Sequence, residues 1–268
     1  MKTTDLLSVT EIRRRLTASM VGRHIYLFGE VDSTNDRLRS LAREGAHEGT
    51  VLVAESQTAG RGRHGQPWFS PSGVNFYASV LLRRRLSPRE VGVFSLLAAL
   101  ALADAIKDFG AEPTIKWPND VLVGRKKVGA SLLECAVRDD QVAYVILGVG
   151  ANLNVDPSVL RAAVGAGGGF ATSLAALTGR PVDRNAFAAG YLNHLDRWLS
   201  VHEMQGTAAI LAAWRRREIL GGRRVEVRGP GETYDGRVLG VDEYGNLLVN
   251  RADGRRHVLT SEEIRTLD

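Results

Sequence analysis

GRGRHGQPWFSP, residues 60–71, is the stretch on which the reading of the chain turns. Three glycines, two arginines and a tryptophan follow closely on a run, residues 50–55, that reads as a strand. Glycines let backbone N–H groups approach a ligand, and arginines add forked, permanently charged donors that match carboxylate or phosphate oxygens. The loop therefore suits an anion; its plainer alternative is a basic surface turn without a ligand. Gly60, Gly62 and Gly65 also spell the dinucleotide fingerprint G-x-G-x-x-G. That fingerprint needs a helix to open inside the glycines, and Pro67 and Pro71 argue against one. With no apolar side chain in residues 60–65, the loop is expected to take its order from the anion it binds.

N-terminal to this loop, Ser8 and Glu11 have capping-box spacing for a short helix, and residues 25–31 read as the first strand. Asp32-Ser33-Thr34-Asn35 then precede a helical pattern, Leu38, Leu41 and Ala42, that Gly45 closes. These four residues either cap that helix or send one or two side chains past its N-terminus toward a polar ligand. C-terminal to the loop, residues 75–82 alternate as a strand and run into Arg83-Arg84-Arg85, a solvated strand end or a phosphate clamp. Pro88 opens a long helix over 89–109 that is apolar on nearly all sides and must be covered by a sheet.

The second dense polar stretch is Ile115-Lys116-Trp117-Pro118-Asn119-Asp120. An Asn-Asp pair alone builds a turn, but Arg125, Lys126 and Lys127 follow within one short hairpin. A carboxylate and an amine that close together can hold a metal-bound phosphate and its counter-charge. From Lys127 the chain alternates through Leu133 and Ala136, turns at Asp139-Asp140 and returns over 142–148. Gly148-Val149-Gly150-Ala151-Asn152-Leu153-Asn154 ends that strand, its asparagines either turn formers or ligand donors. Residues 164–169 read as a surface loop, and 172–177 and 183–220 as helices. Four short strands, 223–228, 232–241, 247–250 and 257–260, are parted by GPGE, DEYGN and RADGR and predict a small β-barrel. The expected organisation is one domain over 1–220 and a second over 221–268.

Composition narrows the classes. With 44% hydrophobic and 24% charged residues the chain is an ordinary globule, and its net charge of +5 permits anionic ligands without requiring nucleic acid. A single cysteine, Cys135, excludes an internal disulfide and a multi-cysteine zinc site; its apolar surroundings, SLLECAV, predict a buried structural thiol. The N-terminus lacks the apolar core of a signal peptide, and the longest apolar stretch, 91–103, falls short of the roughly 20 residues a bilayer span needs. A cytoplasmic protein with no membrane partner is expected.

DSTN at 32–35, ESQTAGRGRHGQPWFSP at 55–71, KWPNDVLVGRKKVGA at 116–130 and GVGANLN at 148–154, in this order and ahead of a small C-terminal barrel, resemble the biotin protein ligases of the biotin–acetyl-CoA-carboxylase ligase type. The resemblance covers nearly everything from residue 25 onward. It implies an α+β fold: a mixed β-sheet with helices on one side, like the class II aminoacyl-tRNA synthetases, then an SH3-like barrel. It also implies that biotin and MgATP give biotinyl-5′-AMP and pyrophosphate, and that the biotinyl group passes to a lysine of a biotin-carrier domain, as in acetyl-CoA carboxylase. Carried over by motif, Ser33, Thr34, Asn35 and Gln57 are polar contacts to biotin, and Arg61, Gly62 and Arg63 belong to the loop that closes over biotin and the adenylate. Trp68 is an aromatic near the adenine, Asn119 and Asp120 lie on the nucleotide and Mg²⁺ side, with Asp120 toward the metal. Lys127 faces the biotin carboxylate, and Asn152 is a further adenylate contact.

Three departures stand out. Gln66 occupies a position usually held by a third arginine, a contact that another residue such as Arg265 would have to supply. Ala130-Ser131 replaces the usual Gly-Ile, adding a methyl group at the pocket floor. Fewer than about 25 residues precede the first strand, too few for a winged-helix DNA-binding module, so a ligase without a sequence-specific nucleic-acid partner is expected; a homodimer stays open. Two rival readings remain: a lipoate or octanoate transferase of the same fold, which lacks the combined GRGR loop and KWPND turn, and a non-enzymatic nucleotide-binding module.

Overall fold

The computed structural model describes residues 6–165, 170–229, 232–260 and 262–267. The elements run α1 (Val9–Arg15), β1 (Ile25–Val31), α2 (Thr34–Arg43), β2 (Val51–Gln57), β3 (Phe76–Leu82), α3 (Gly92–Lys107), β4 (Pro113–Lys116), β5 (Asp120–Val123), β6 (Lys126–Arg138), β7 (Gln141–Ala151), α4 (Pro157–Val164), α5 (Leu174–Thr178) and α6 (Arg184–Arg215). There follow β8 (Arg224–Arg228), β9 (Thr233–Val241), β10 (Leu247–Arg251), β11 (Arg256–Leu259) and β12 (Glu263–Thr266). The expected loop at 164–169 lies for the most part outside the described residues, as do Pro230 and Gly231 of the GPGE turn.

Seven strands form one sheet in the order β1-β2-β3-β7-β6-β5-β4. Only the β1–β2 pair is parallel, so the sheet is mixed, as expected. Strand alternation gives it two apolar faces. Val51, Val53, Val80, Leu82, Val145 and Leu147 face the main core with α3 and α6, and Leu52, Leu81 and Ile146 face Leu38 and Ala42 of α2. Helices therefore cover both faces rather than one, because the strands carry apolar residues at both parities. The all-round apolar character of α3 is explained by its burial, which runs almost unbroken from Val93 to Ile106 between the sheet and α6.

A buried ion pair ties the N-terminal segment to this core. Arg184 donates to Glu55 at 2.6 Å with the arginine 1% exposed, and Glu55 also accepts from the Leu7 N–H. The helix expected to reach residue 220 ends at Arg215 after a break at Gly206 (φ 73°), and the chain then pairs with β4 through Ile115 and Glu218. Arg217, just past the end of this helix, reaches Asp104 at 2.6 Å. Helix α4 was not foreseen, although Asp156 as N-cap and Pro157 at its first position announce it.

The C-terminal strands form a five-stranded antiparallel sheet in the order β11-β10-β9-β8-β12. It has one strand more than expected, since β12 pairs with β8. The β9–β10 turn docks on the larger unit: the Trp117 indole N–H donates to Gly245 O at 2.9 Å, and Arg89 lies over the Tyr244 ring. Cys135 is exposed, against expectation. It sits on the outer part of the β6–β7 hairpin, where residues 135–141 are mostly exposed, so an apolar run there does not imply cover. What burial it has pushes its thiol pKa up, away from nucleophilic character.

Candidate active site

Helix α2 covers only part of its face of the sheet. Beyond it the strands present Gly148 and Gly150 of β7 and Ala130 and Leu132 of β6, and a cavity of about 930 Å³ opens there. Gly150 is needed for this shape: a Cβ on it would stand 2.6 Å from the Trp68 indole, which packs across the strand.

At the α2 end the wall is polar but neutral. Ser33, Thr34 and Asn35 are buried, and the side chain of Ser33 makes no capping bond although Ser33 is the N-cap. The helix end is satisfied instead by Gln57, whose Oε1 accepts from the Thr34 N–H at 2.9 Å. Gln57 Nε2 in turn donates to Ser70 Oγ at 3.0 Å. Asn35 is oriented from both ends: Ser79 donates to its Oδ1 at 2.6 Å, and its Nδ2 donates to Glu134 at 2.8 Å. The two readings of DSTN are thus both partly right: the motif starts the helix, and its side chains face the cavity while a partner 23 residues away makes the cap.

The opposite end is charged. Lys127 Nζ lies 2.6 Å from Asp120 Oδ1 and 5.3 Å from the centre of the Trp68 ring. Its neighbour Lys126 is exposed. Asn119 is buried in the turn between β4 and β5 and donates to Ser131 O. The 60–68 loop forms a miniature hairpin, with an Arg61–Pro67 bridge, the Gly62 N–H on Gln66 O at 2.7 Å and the Trp68 N–H on Gly60 O at 2.8 Å. No α-helix opens inside its glycines; residues Arg63–Gly65 make a single 3-10 turn. Arg61 is bonded to Asp36 by both terminal nitrogens and reaches Glu134 at 3.0 Å. The Arg61 guanidinium holds the Asp36 carboxyl below its usual range, and Asp36, then Glu134, push the Arg61 pKa up. Arg63 donates to Glu262 O at 3.1 Å and lies over the Trp117 ring. The loop therefore has partners within the protein, and the premise that only an anion could order it is corrected.

Eleven of the twelve residues singled out by motif line this one cavity: Ser33, Thr34, Asn35, Gln57, Arg61, Gly62, Arg63, Trp68, Asn119, Asp120 and Lys127. Asn152 is not part of the lining; its backbone joins Val128 O and the Leu174 N–H, and its Oδ1 is buried without a hydrogen-bond partner among the described residues. Gln66 lines the cavity, but Arg265 is exposed and does not, so it is not the stand-in for a third loop arginine. The cation that the C-terminal sheet brings to the cavity is Arg228, which together with Thr260, Glu262 and Ile264 completes the wall. Sequence reasoning missed Asp36, Arg39 and Glu134. Only the i,i+3 spacing of Asp36 and Arg39 was readable in advance.

Comparison with known proteins bears on this arrangement. Residues 27–152 match the Biotin/lipoate A/B protein ligase family, and residues 220–262 match the Biotin protein ligase C terminal domain. The biotin–[acetyl-CoA-carboxylase] ligase of Paracoccus denitrificans is 33% identical over 240 residues, covering 88% of this chain and 98% of that one. The chain belongs to the biotin protein ligase family. Among other members, the bifunctional ligase/repressor BirA of Bacillus subtilis (strain 168) is 31% identical over 261 residues, 96% of this chain and 78% of that protein. The biotin protein ligase from Aquifex aeolicus, solved in complex with biotin and ATP, superposes with a TM-score of 0.74 at 27% identity, covering 91% of this chain and 99% of that one. The expected fold class, a mixed sheet with helices followed by a second all-β unit, is that of a biotin protein ligase. Among the described residues no helix is long and apolar enough to cross a membrane.

Proposed function

We propose that this biotin protein ligase joins biotin and ATP to give biotinyl-5′-AMP and pyrophosphate, then transfers the biotinyl group to a lysine on the biotin-carrier domain of a carboxylase such as acetyl-CoA carboxylase. The catalytic unit of this reading spans 1–220 and the C-terminal unit 221–268, with the reaction in the cytoplasm. The observation that carries it is the arrangement of the cavity lining: a neutral, hydrogen-bonding wall of Ser33, Thr34, Asn35 and Gln57, Arg61 beside that wall on Asp36 and Glu134, Lys127 paired with Asp120 over Trp68, and Arg63 over Trp117.

In the first step a biotin carboxylate oxygen attacks the α-phosphorus of ATP, and the bond to the β-phosphate breaks. Both reactants are anions, so repulsion is the main obstacle. Lys127, Arg61 and Arg63 are fixed cations set against it, and one such preorganised donor is worth about 3 kcal/mol. The Trp68 face and the orphan indole N–H at its edge suit an adenine and a nearby acceptor. In the second step the neutral acceptor amine attacks the biotinyl carbonyl, the acyl C–O bond breaks so that AMP leaves with the bridging oxygen that came from the biotin carboxylate, and the amine sheds one proton. No enzyme nucleophile is required, and none faces the cavity as cysteine.

Mg²⁺ fits this donor set as a nucleotide-borne ion. Mg²⁺ is commonly held by one or two carboxylates with substrate phosphates supplying the rest, and Asp120 offers one carboxylate beside Lys127. Bound there, it would neutralise part of the triphosphate charge. Asp120 and Lys127 act together in the protein's own part of this chemistry, the carboxylate keeping the ammonium at the cavity wall rather than in solvent.

Incubation with biotin, MgATP and a purified biotin-carrier domain tests the reading by mass spectrometry. The expected product is one biotinyl group on the acceptor lysine, absent when that lysine is replaced by arginine. A lipoyl adduct formed in preference, with lipoate supplied beside biotin, would replace this reading by the lipoate one.

A further inference from the structure

Arg61, the loop cation nearest the neutral wall, is held by side chains that do not belong to the loop. Asp36 lies in the first turn of α2 immediately after Asn35, and Glu134 lies on β6 and also accepts from Asn35. A second cation, Arg39, competes for both acids: it pairs with Asp36 and with Glu134, the latter at 2.7 Å. The four side chains form a closed quartet of two cations and two anions, each 24–33% exposed.

We propose that Asp36 is a positioning residue. Together with Glu134 it holds Arg61, and through Arg61 the 60–68 hairpin, across the cavity, while Arg39 limits how tightly. The hairpin's internal bonds make it move as one piece, so a tether at Arg61 carries Gly62 and Gln66 with it. Arg61 is itself one side of the hairpin's Arg61–Pro67 bridge, and its guanidinium is bidentate on Asp36, a geometry that fixes orientation as well as distance. Asp36 is not among the residues lining the cavity, so cover over the reactive intermediate depends on a carboxylate that need not touch it. The opposing role of Arg39 follows from charge: it neutralises the acids that Arg61 needs, and its removal leaves one cation against two anions.

The link to the intermediate rests on the function proposed above, but the tether itself is tested without any ligand. Hydrogen–deuterium exchange of residues 60–68 is followed in the ligand-free full chain for the wild type and for Asp36→Asn, Glu134→Gln and Arg39→Gln. Asp36→Asn should speed loop exchange roughly threefold to tenfold, the size expected when a partly exposed ion-pair network loses one charge. Glu134→Gln, which lies on a strand, should do the same and so separates loss of the tether from fraying of α2. Arg39→Gln should leave loop exchange unchanged or slower. In the same variants, dissociation of biotinyl-AMP should rank in the same order. Loop exchange in Asp36→Asn equal to wild type, or an acceleration in Arg39→Gln matching that in Asp36→Asn, would overturn the proposal. Loss of biotinyl-AMP binding in the wild type alone would contradict the proposed function and leave the tether standing.

Discussion

Lys127 reaches Asp120 at 2.6 Å because β6 carries a bulge between them. Leu122 pairs with Lys127 and Val121 with Gly129, which leaves Val128 over in the ladder. Val128 and Gly129 both turn toward the α3 side, where Val128 is buried in the core and a Cβ on Gly129 would meet Leu102. Ala130 and Lys127, three positions apart, therefore share the cavity face, which strict alternation would forbid.

Replacement at 127 and 126 separates the two adjacent lysines. Lys127→Ala should lower the adenylation rate roughly 10²- to 10³-fold, the cost of losing one preorganised donor to developing charge. Lys126→Ala, on the exposed side, should change it by no more than a few-fold. Transfer from pre-formed biotinyl-AMP should suffer less than adenylation in Lys127→Ala, since pyrophosphate has already left. Single-turnover measurements of both half-reactions provide the check, and a crippled Lys126→Ala would contradict the register.

Gly150→Ala probes the packing of Trp68. The added methyl group would stand 2.6 Å from the indole, so the ring must shift. Because Trp68 is only partly buried, the shift should cost little stability while raising KM for ATP about tenfold or more with KM for biotin changed less. Equal effects on the two substrates would place Trp68 elsewhere than at the nucleotide.

Stability should depend on the buried Glu55–Arg184 pair, which lies outside the cavity lining. Glu55→Gln leaves Arg184 charged in an interior where it is 1% exposed, and breaking such a pair from one side costs about 3–5 kcal/mol. Urea unfolding reads this directly. A change under about 1 kcal/mol would mean that water reaches the site.

Acid should loosen the N-terminal segment through Asp196. Burial pushes its carboxyl up, but the N–H groups of Val21, Ser19 and Met20 and the Ser19 hydroxyl together hold it below its ordinary 3.8. A depressed folded-state pKa gives stability that is present above the unfolded value and lost as pH falls through the folded one. Stability should therefore be flat in this contribution above about pH 5 and fall below about pH 4. Asp196→Asn should be less stable at pH 7 and show a shallower acid slope; an unchanged slope would remove Asp196 as its source.

What could be read in the sequence follows from the range of each signal. Ser8 announces α1 and accepts from the Glu11 N–H, because a cap lies within one turn of the residues it serves, but the return half of the capping box is replaced: the Ser8 N–H donates to Asn185 Oδ1 and the Glu11 carboxylate pairs with Arg14 and Arg15. The turns DEYGN and RADGR part β9, β10 and β11 as predicted, since hairpin turns are local chemistry. β12 was missed because EIRT is four residues long and is held by pairing with β8, more than 30 residues back. The β6 bulge has no mark in the string KKVGA; it is set by the two layers that claim Val128 and Lys127. The motif residues at the cavity were legible as motifs. Their partners were not, since Arg61 finds Asp36 and Glu134 at separations of 25 and 73 residues and Trp117 finds Gly245 at 128.

Biotin-dependent exchange of radiolabelled pyrophosphate into ATP tests the central claim most directly, because it reads formation of biotinyl-AMP without any acceptor protein. Exchange should require biotin, ATP and Mg²⁺ together and should fall roughly 10²- to 10³-fold in Lys127→Ala. Exchange that proceeds equally without biotin, or none at all in a folded wild-type chain, would contradict the account.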